Sequence, residues 1–483
     1  MVPRWLQLMV LWCAVAQPHP AAAQAPVRYF LSDAEVEAAP AQLPSPTLSA
    51  TEAFREASFQ DQPPRVVPRA TTAGTTLPAA ASELESTLLR TDASLARSLL
   101  PPERYSQAVG VGADVVAVPE AVARSTTDTG NLLGTSPSAV GLGVQRRNPI
   151  VNDPRIRGSR IGRLPASGSF WFPARMDLDT TLSKIDSRII EDVITIKGPY
   201  AARYGPGFSF VDFRLQPTPR YEDGFETHGS TSVDYQSNGE RWYGRQMLWG
   251  GGADWGFRAG YGHRTGNDYS TGDGLGIPSS HNSRDAELAL GGDVTADRHV
   301  EFHYLRQDQT TVELPGQAFD IDMLYTDGFE LRYADDDPGY ADRLAVEAWY
   351  NRTRFDGSAQ REGKRRQFPY YDFINFVGRT DVESVSTGFS LAATWGCEAC
   401  EHLTAGVDLR YARQELNEIT SGRVGFNIWQ DANSPVPRSD LANPGLFVEY
   451  AAPAGDRWQI TSGARVDLAS ANVRDDPQKL ASL

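Results

Sequence analysis

Positive charge is the first thing in short supply. Lysine and arginine number 46 against 61 aspartates and glutamates, a net charge of −15 over 483 residues. A general nucleic-acid binder presents a basic surface, so nucleic acid is not an expected partner. Cysteine is nearly absent, with three residues, and methionine contributes five. No stretch approaches the ~20 consecutive apolar residues that a membrane-spanning helix needs. Nucleophile elbow, phosphate loop and metal quartet are all missing, so no cofactor or bound metal is expected and the chain does not read as an enzyme. Glycine is plentiful, at 43 residues with 10% aromatics, the texture of a turn-rich β protein.

The chain opens with Arg4, the apolar run WLQLMVLWCAVA and the small residues AAAQA. This is the order of a signal peptide, residues 1–23, with cutting expected after Ala23. Bulky Trp12 before Cys13 argues against lipidation there. Cys397 and Cys400 then remain, in WGCEACEHL. Such a pair serves as a redox centre or half a zinc site, but no second pair exists and His402 completes no ligand set. In an oxidising compartment the plainer reading is a disulfide closing a loop.

Residues 24–110 are rich in Ala, Pro, Ser and Thr and bury too little apolar surface to offset ordering entropy, so they read as a flexible extension. The texture changes near Val111, where GADVVAVPEA is short, apolar and extended, and a denser segment follows to Leu215. Beyond it lie segments of about ten residues that alternate strictly, the period of a strand with two different faces. In RLAVEAWYN, Leu344, Val346, Ala348 and Tyr350 oppose Glu347 and Asn351; in HVEFHYLRQ, Val300, Phe302 and Tyr304 oppose Glu301 and His303. HLTAGVDLRYAR and RWQITSGARVDL repeat the pattern, and about eleven such strands fit. Short links alternate with long ones, expected at Arg264–Arg284, Thr310–Gly328, Arg354–Glu383 and Leu416–Pro444, as in a bacterial outer-membrane barrel. Trp242, Trp249, Trp255, Trp349, Trp395 and Trp458 suit interfacial girdles. A closed barrel pairs its whole backbone without an apolar helix. A soluble sandwich also alternates and stays open as an alternative.

Several pieces, in order, resemble one family, the TonB-dependent outer-membrane receptors. NLLGTSPSAV is similar to the opening of the family's plug domain, and DPRIRGSRIG to its Ile-Arg-Gly strand, here with Arg157 and Gly158. LSKIDSRIIEDVITIKGPYAARYGPG is similar to the plug's most recognisable segment, with Lys197, Gly198, Pro199, Arg203, Tyr204 and Gly205. NPGLFVEYAAPAGDRWQITSGARVDL resembles a mid-barrel hairpin of siderophore receptors. LPASGSFWFPARM and FSFVDFRL depart from the pattern, replacing an Asp-Gly turn and a Gly-Gly pair. The resemblance implies a mainly β fold: a small α+β plug domain, residues 111–215, then a transmembrane antiparallel β-barrel from residue 216 to 483. Eleven strands are about half of a ~22-strand barrel, and the chain closes on QKLASL without a terminal aromatic. The sequence is therefore expected to be truncated, a fragment or a degenerate gene product.

The implied function is energised import through the outer membrane of a Gram-negative cell. The implied partners are a TonB–ExbB–ExbD-type inner-membrane energy complex, outer-membrane lipid and a small ligand such as a metal chelate, with siderophore-iron favoured. The TonB-box candidate is Ala113, Asp114, Val115, Val116, Ala117 and Val118, extended and apolar as strand pairing with a partner requires; a first plug strand or plain linker is the competing reading. Phe170, Trp171 and Phe172 are ligand-facing candidates by position in the family, with core packing of the plug as the alternative. Arg146, Arg147, Arg155, Arg157, Arg160 and Arg163 are expected to pair with Glu301, Glu347 and Asp408 on the barrel wall. A passive porin or structural barrel shares the alternation but not the plug-like segment.

Overall fold

The computed structural model describes residues 8–12, 114–117, 129–135, 142–146, 152–156, 159–160, 164–166, 169–171, 185–197, 202–205, 209–396, 401–453 and 459–474. Short elements come first: β1 (Leu8–Trp12), β2 (Asp114–Ala117), helix α1 (Thr129–Thr135), β3 (Leu142–Arg146), β4 (Asn152–Ile156), β5 (Ser159–Arg160), β6 (Leu164–Ala166), β7 (Ser169–Trp171), β8 (Ile190–Lys197) and β9 (Ser209–Leu215). Next are β10 (Glu226–Gln236), β11 (Arg241–Gly251), β12 (Trp255–Gly266), β13 (Tyr269–Ser270), β14 (Gly276–Ile277), β15 (His281–Thr295), β16 (Arg298–Val312), β17 (Asp320–Asp335) and β18 (Arg343–Ser358). Helices α2 (Glu362–Gln367) and α3 (Tyr370–Phe373) then precede β19 (Val377–Gly396), β20 (His402–Val424), β21 (Asn427–Pro453), β22 (Gln459–Leu468) and β23 (Ser470–Val473).

Eleven long strands, β10–β12 and β15–β22, lie in sequence order in one sheet with every neighbour antiparallel. Eleven is odd, so β10 and β22 run in the same sense and the sheet cannot close antiparallel on itself. It is open at β10, while β1 lies antiparallel along β22 with Val10 opposite Val466.

The sheet has the reverse of a soluble polarity. Its inner face, toward the segment β2–β9, buries charge: Glu301 is 0% exposed, Asp408 3% and Arg465 4%. Its outer face leaves large apolar groups uncovered, Leu446 at 58% and Ile460 at 57%. A sandwich buries the apolar face, so the soluble alternative is excluded, and the wall has the polarity of a membrane barrel. On β20 the outer apolar positions run from Leu403 to Tyr411, ~26 Å at ~3.3 Å per residue, close to the height of a lipid-facing band. Beyond them come outward ion pairs, Arg306–Asp327 (3.0 Å) and Arg352–Glu383 (2.6 Å).

Two expectations need correction. Leu416–Pro444 is not a loop: β20 and β21 continue through it, joined only by Gly425 and Phe426. The other three long links also shorten, to 267–280, 313–319 and 359–376. A hairpin pairs its own backbone whatever its side chains, so polar stretches beyond the apolar band read as loops and fold as strand. Trp249 and Trp349 are not girdle residues. Both sit at inner positions, Trp349 buried and Trp249 packed against the inner core, whereas Trp242, Trp255 and Trp395 are exposed. Trp458 lies outside the described residues.

Elements β2–β9 and α1 form the inner segment, with sheets in the orders β2-β8-β9-β6-β7 and β3-β4-β5. Helix α1 is too short to stand alone; Leu132 and Leu133 bury it against Ile185, Ile189, Val193 and Phe213. The same cluster takes in Met247 and Leu305 from the large sheet, so one core joins the inner segment to the wall.

Candidate functional site at the inner face of the sheet

Asp186 caps the 3-10 turn Ser187–Ile189 by accepting the Arg188 N–H at 2.7 Å. It is fully buried, with guanidinium nitrogens of Arg245 on β11 and Arg264 on β12 each at 3.7 Å. Arg245 is held by two wall carboxylates on β15, Asp285 and Glu287, the latter at 3.1 Å. Glycine makes the room: a Cβ at Gly262 would crowd Asp285 and Arg245, and one at Gly260 would crowd Glu287 and Arg245.

The Arg203-Tyr204-Gly205 corner meets the other end of the sheet. The Arg203 backbone N–H donates to Glu449 Oε1 at 3.1 Å, its Nε donates to Glu449 Oε2, and its Nη2 donates to Thr404 at 3.0 Å. Arg465 donates to the Ala202 carbonyl at 3.0 Å and to Asp408 at 2.7 and 2.8 Å. Gly205 lies directly over the Arg410 guanidinium, and Gly463 leaves room for Ala202. Asp186 precedes β8 and Arg203 follows it, so this eight-residue strand, ~26 Å long, crosses between the two ends of the sheet. The chain leaving β9 is also stitched down: Thr218 N–H donates to Glu301 at 2.7 Å, and Arg258 to the Pro217 carbonyl at 2.5 Å.

Of the residues singled out in the sequence, Asp114–Ala117 form β2, an edge strand antiparallel to β8, with Val115 opposite Ile194. Ala113 and Val118 lie outside the described residues, as do Arg157, Gly158, Gly198, Pro199, Phe172, Cys397 and Cys400. Lys197 ends β8 opposite Ser209. Phe170 and Trp171 belong to β7, which lies beside β18 and β19. The expected arginine partners are corrected at Glu301 and Asp408. Glu301 takes His303 (3.2 Å) and the Thr218 N–H, and Asp408 takes Arg410 and Arg465. Charge crosses from inner segment to wall through Asp186 and Arg203. Sequence reasoning missed Asp186, Arg245, Arg264 and Glu449. The available signal was glycine at inner positions, Gly256, Gly260, Gly262 and Gly266 on β12 and Gly463 on β22, which open space beside a charge. No group of His, Cys, Asp and Glu able to hold a metal occurs among the described residues.

An antiparallel wall, apolar outside, with small inner sheets ion-paired to its charged inner face has the fold of part of the TonB-dependent outer-membrane receptors. Among solved structures, the copper transporter OprC is 22% identical with a TM-score of 0.63, the match covering 75% of this chain and 56% of that one. The unliganded ferric citrate transporter FecA is 16% identical, TM-score 0.55, over 76% of this chain and 57% of that one. A variant of the ferric enterobactin receptor PfeA of Pseudomonas aeruginosa, bound to enterobactin, is 13% identical, TM-score 0.53, over 74% and 59%. The chain thus spans just over half the length of these proteins. No protein-family profile and no curated protein matches the sequence.

Proposed function

We propose that this chain is the front part of an outer-membrane receptor that imports a scarce ligand, with siderophore-bound iron favoured, using inner-membrane energy. The observation that carries the reading is the inner segment tied by buried charge to the polar face of a wall whose other face is apolar. A passive porin has no use for such a segment. In this reading residues 1–23 export the chain, residues 24–110 give reach across the periplasm, residues 111–215 act as the plug and residues 216–483 supply the wall. Ala113–Val118 is the segment handed to a TonB-type partner. Within it Asp114–Ala117 form an edge strand with one neighbour, suited to exchanging one strand partner for another. The plug corner Lys197–Gly205 is the fixed mount, and Phe170–Phe172 belong to the face that meets ligand.

The test is uptake of labelled ferric siderophore and, in parallel, of copper by cells carrying the complete gene. Import of one of them is expected, lost when the proton gradient is collapsed and lost again when residues 113–118 are deleted. Uptake indifferent to both treatments would overturn the reading in favour of a porin.

A further inference from the structure

Strand register sets inner positions of β16, β17 and β18 in two ranks. Gln307, Thr326 and Thr353 lie abreast in one, and Leu305, Gly328 and Asn351 in the other. Strands lie ~4.8 Å apart, so the ranks frame a window ~10 Å wide. At its centre Gly328, with no side chain, separates Leu305 from Asn351. Neither rank holds a charged residue. The rank on one side carries Leu324 and Phe355 of an apolar cluster, and the rank on the other carries Glu330, paired with Arg332 at 3.2 Å. The window is buried, with Gln307 at 1% and Asn351 at 5% exposure, and the inner segment passes it where β7 lies beside β18.

Hydrogen bonding inside the window is incomplete. The Thr326 and Thr353 hydroxyls bond each other at 3.1 Å, whereas both polar atoms of the Gln307 amide and both of the Asn351 amide make no hydrogen bond. Trp349 Nε1, one rank away with its indole against Gly388, makes none either. Burying such groups unpaired forfeits their hydration, so the covered window holds hydrogen-bonding capacity that uncovering satisfies. An amide both donates and accepts. With no charge in either rank, an anionic or cationic group finds no counter-ion there. The partner that fits is uncharged and rich in hydroxyl or carbonyl oxygen.

We propose that this window is a transit site for the imported ligand. When the covering segment shifts, the Gln307 and Asn351 amides hydrogen-bond the uncharged, oxygen-bearing part of the ligand as it passes along the wall. Gly328 supplies the space, and Trp349 a flat apolar side with one further donor. The inference rests on the import reading and adds to it the wall residues that meet the ligand after capture.

The test uses cells carrying the complete gene, with labelled ferric siderophore and, separately, copper as probes. Capture is measured with the proton gradient collapsed, and uptake with it intact. Gln307→Leu combined with Asn351→Leu keeps the side-chain volume, removes both amides and leaves no polar group newly unpaired. Uptake is expected to fall about tenfold, the effect of two lost hydrogen bonds, with capture unchanged. Gln307→Asn combined with Asn351→Gln, which retains both amides, is expected to keep most of the uptake. Unchanged uptake in the Leu pair, or equal loss in both pairs, would overturn the transit site and leave the import reading standing. Loss of capture along with uptake would mark a structural role and overturn it as well. Wild-type cells that take up neither probe would overturn the import reading, and the transit site with it.

Discussion

At Gly205 the backbone takes φ +112°, a left-handed conformation that side chains strain, and a Cβ would fall inside the Arg410 guanidinium. The two demands coincide at the one glycine that closes the Arg-Tyr-Gly corner. Gly205→Ala is expected to cost about 1–3 kcal/mol in backbone strain alone, besides displacing Arg410 from Asp408. The measurement is hydrogen exchange of β9, expected to quicken roughly tenfold or more; an unchanged rate would show that the corner is not strained. Gly205 was legible in the sequence because glycine in a Gly-Pro-to-Tyr-Gly stretch asks for special geometry. Asp186 was not. A carboxylate ahead of an alternating strand reads as a cap, and nothing local reveals that two arginines some 59 and 78 positions later converge on it.

Among the elements, α2 is anchored by a contact that its own sequence does not show. EGKRRQ reads as a solvated basic turn, yet Lys364 is wholly buried. Its amine replaces water with two carbonyls and Asp320, and Phe355, Leu314 and Ile321 form an apolar floor nearby. Lys364→Met removes the cation and leaves Asp320 buried without one, for an expected local loss of about 3–5 kcal/mol. Protection factors of residues 313–319 and 362–373 would report it. Adding Asp320→Asn should restore much of the loss, since the cost lies in the abandoned charge. The long strands were easier to read. Period-two alternation fixed which residues of β16, β18, β20 and β22 share a face, because adjacent side chains in a strand point to opposite sides. The alternation lapses beyond the apolar band, and there the strand ends were misjudged.

For the whole molecule the decisive property is which face of the sheet meets which medium. Val407 lies midway along the outer apolar run of β20, and Phe426 stands exposed at the tip of the β20–β21 hairpin. With the outer face in lipid, Val407→Arg is expected to lower bilayer refolding stability by about 2–4 kcal/mol, while Phe426→Arg stays within about 0.5 kcal/mol. Titrated refolding into vesicles measures both. Equal, small effects would mean the outer face is not in contact with lipid.

The sequence by itself determined that the chain is mainly β, that about eleven alternating strands follow a denser segment, and which of their side chains share a face. These follow from local rules, the two-residue period of a strand and the backbone demands of glycine and proline. Only the tertiary structure decided that β8 spans between Asp186 and Arg203, and that Arg245 and Arg264 converge on Asp186. A buried ion pair depends on where two distant strands lie in the sheet, and chain order alone does not specify which charges will converge across it.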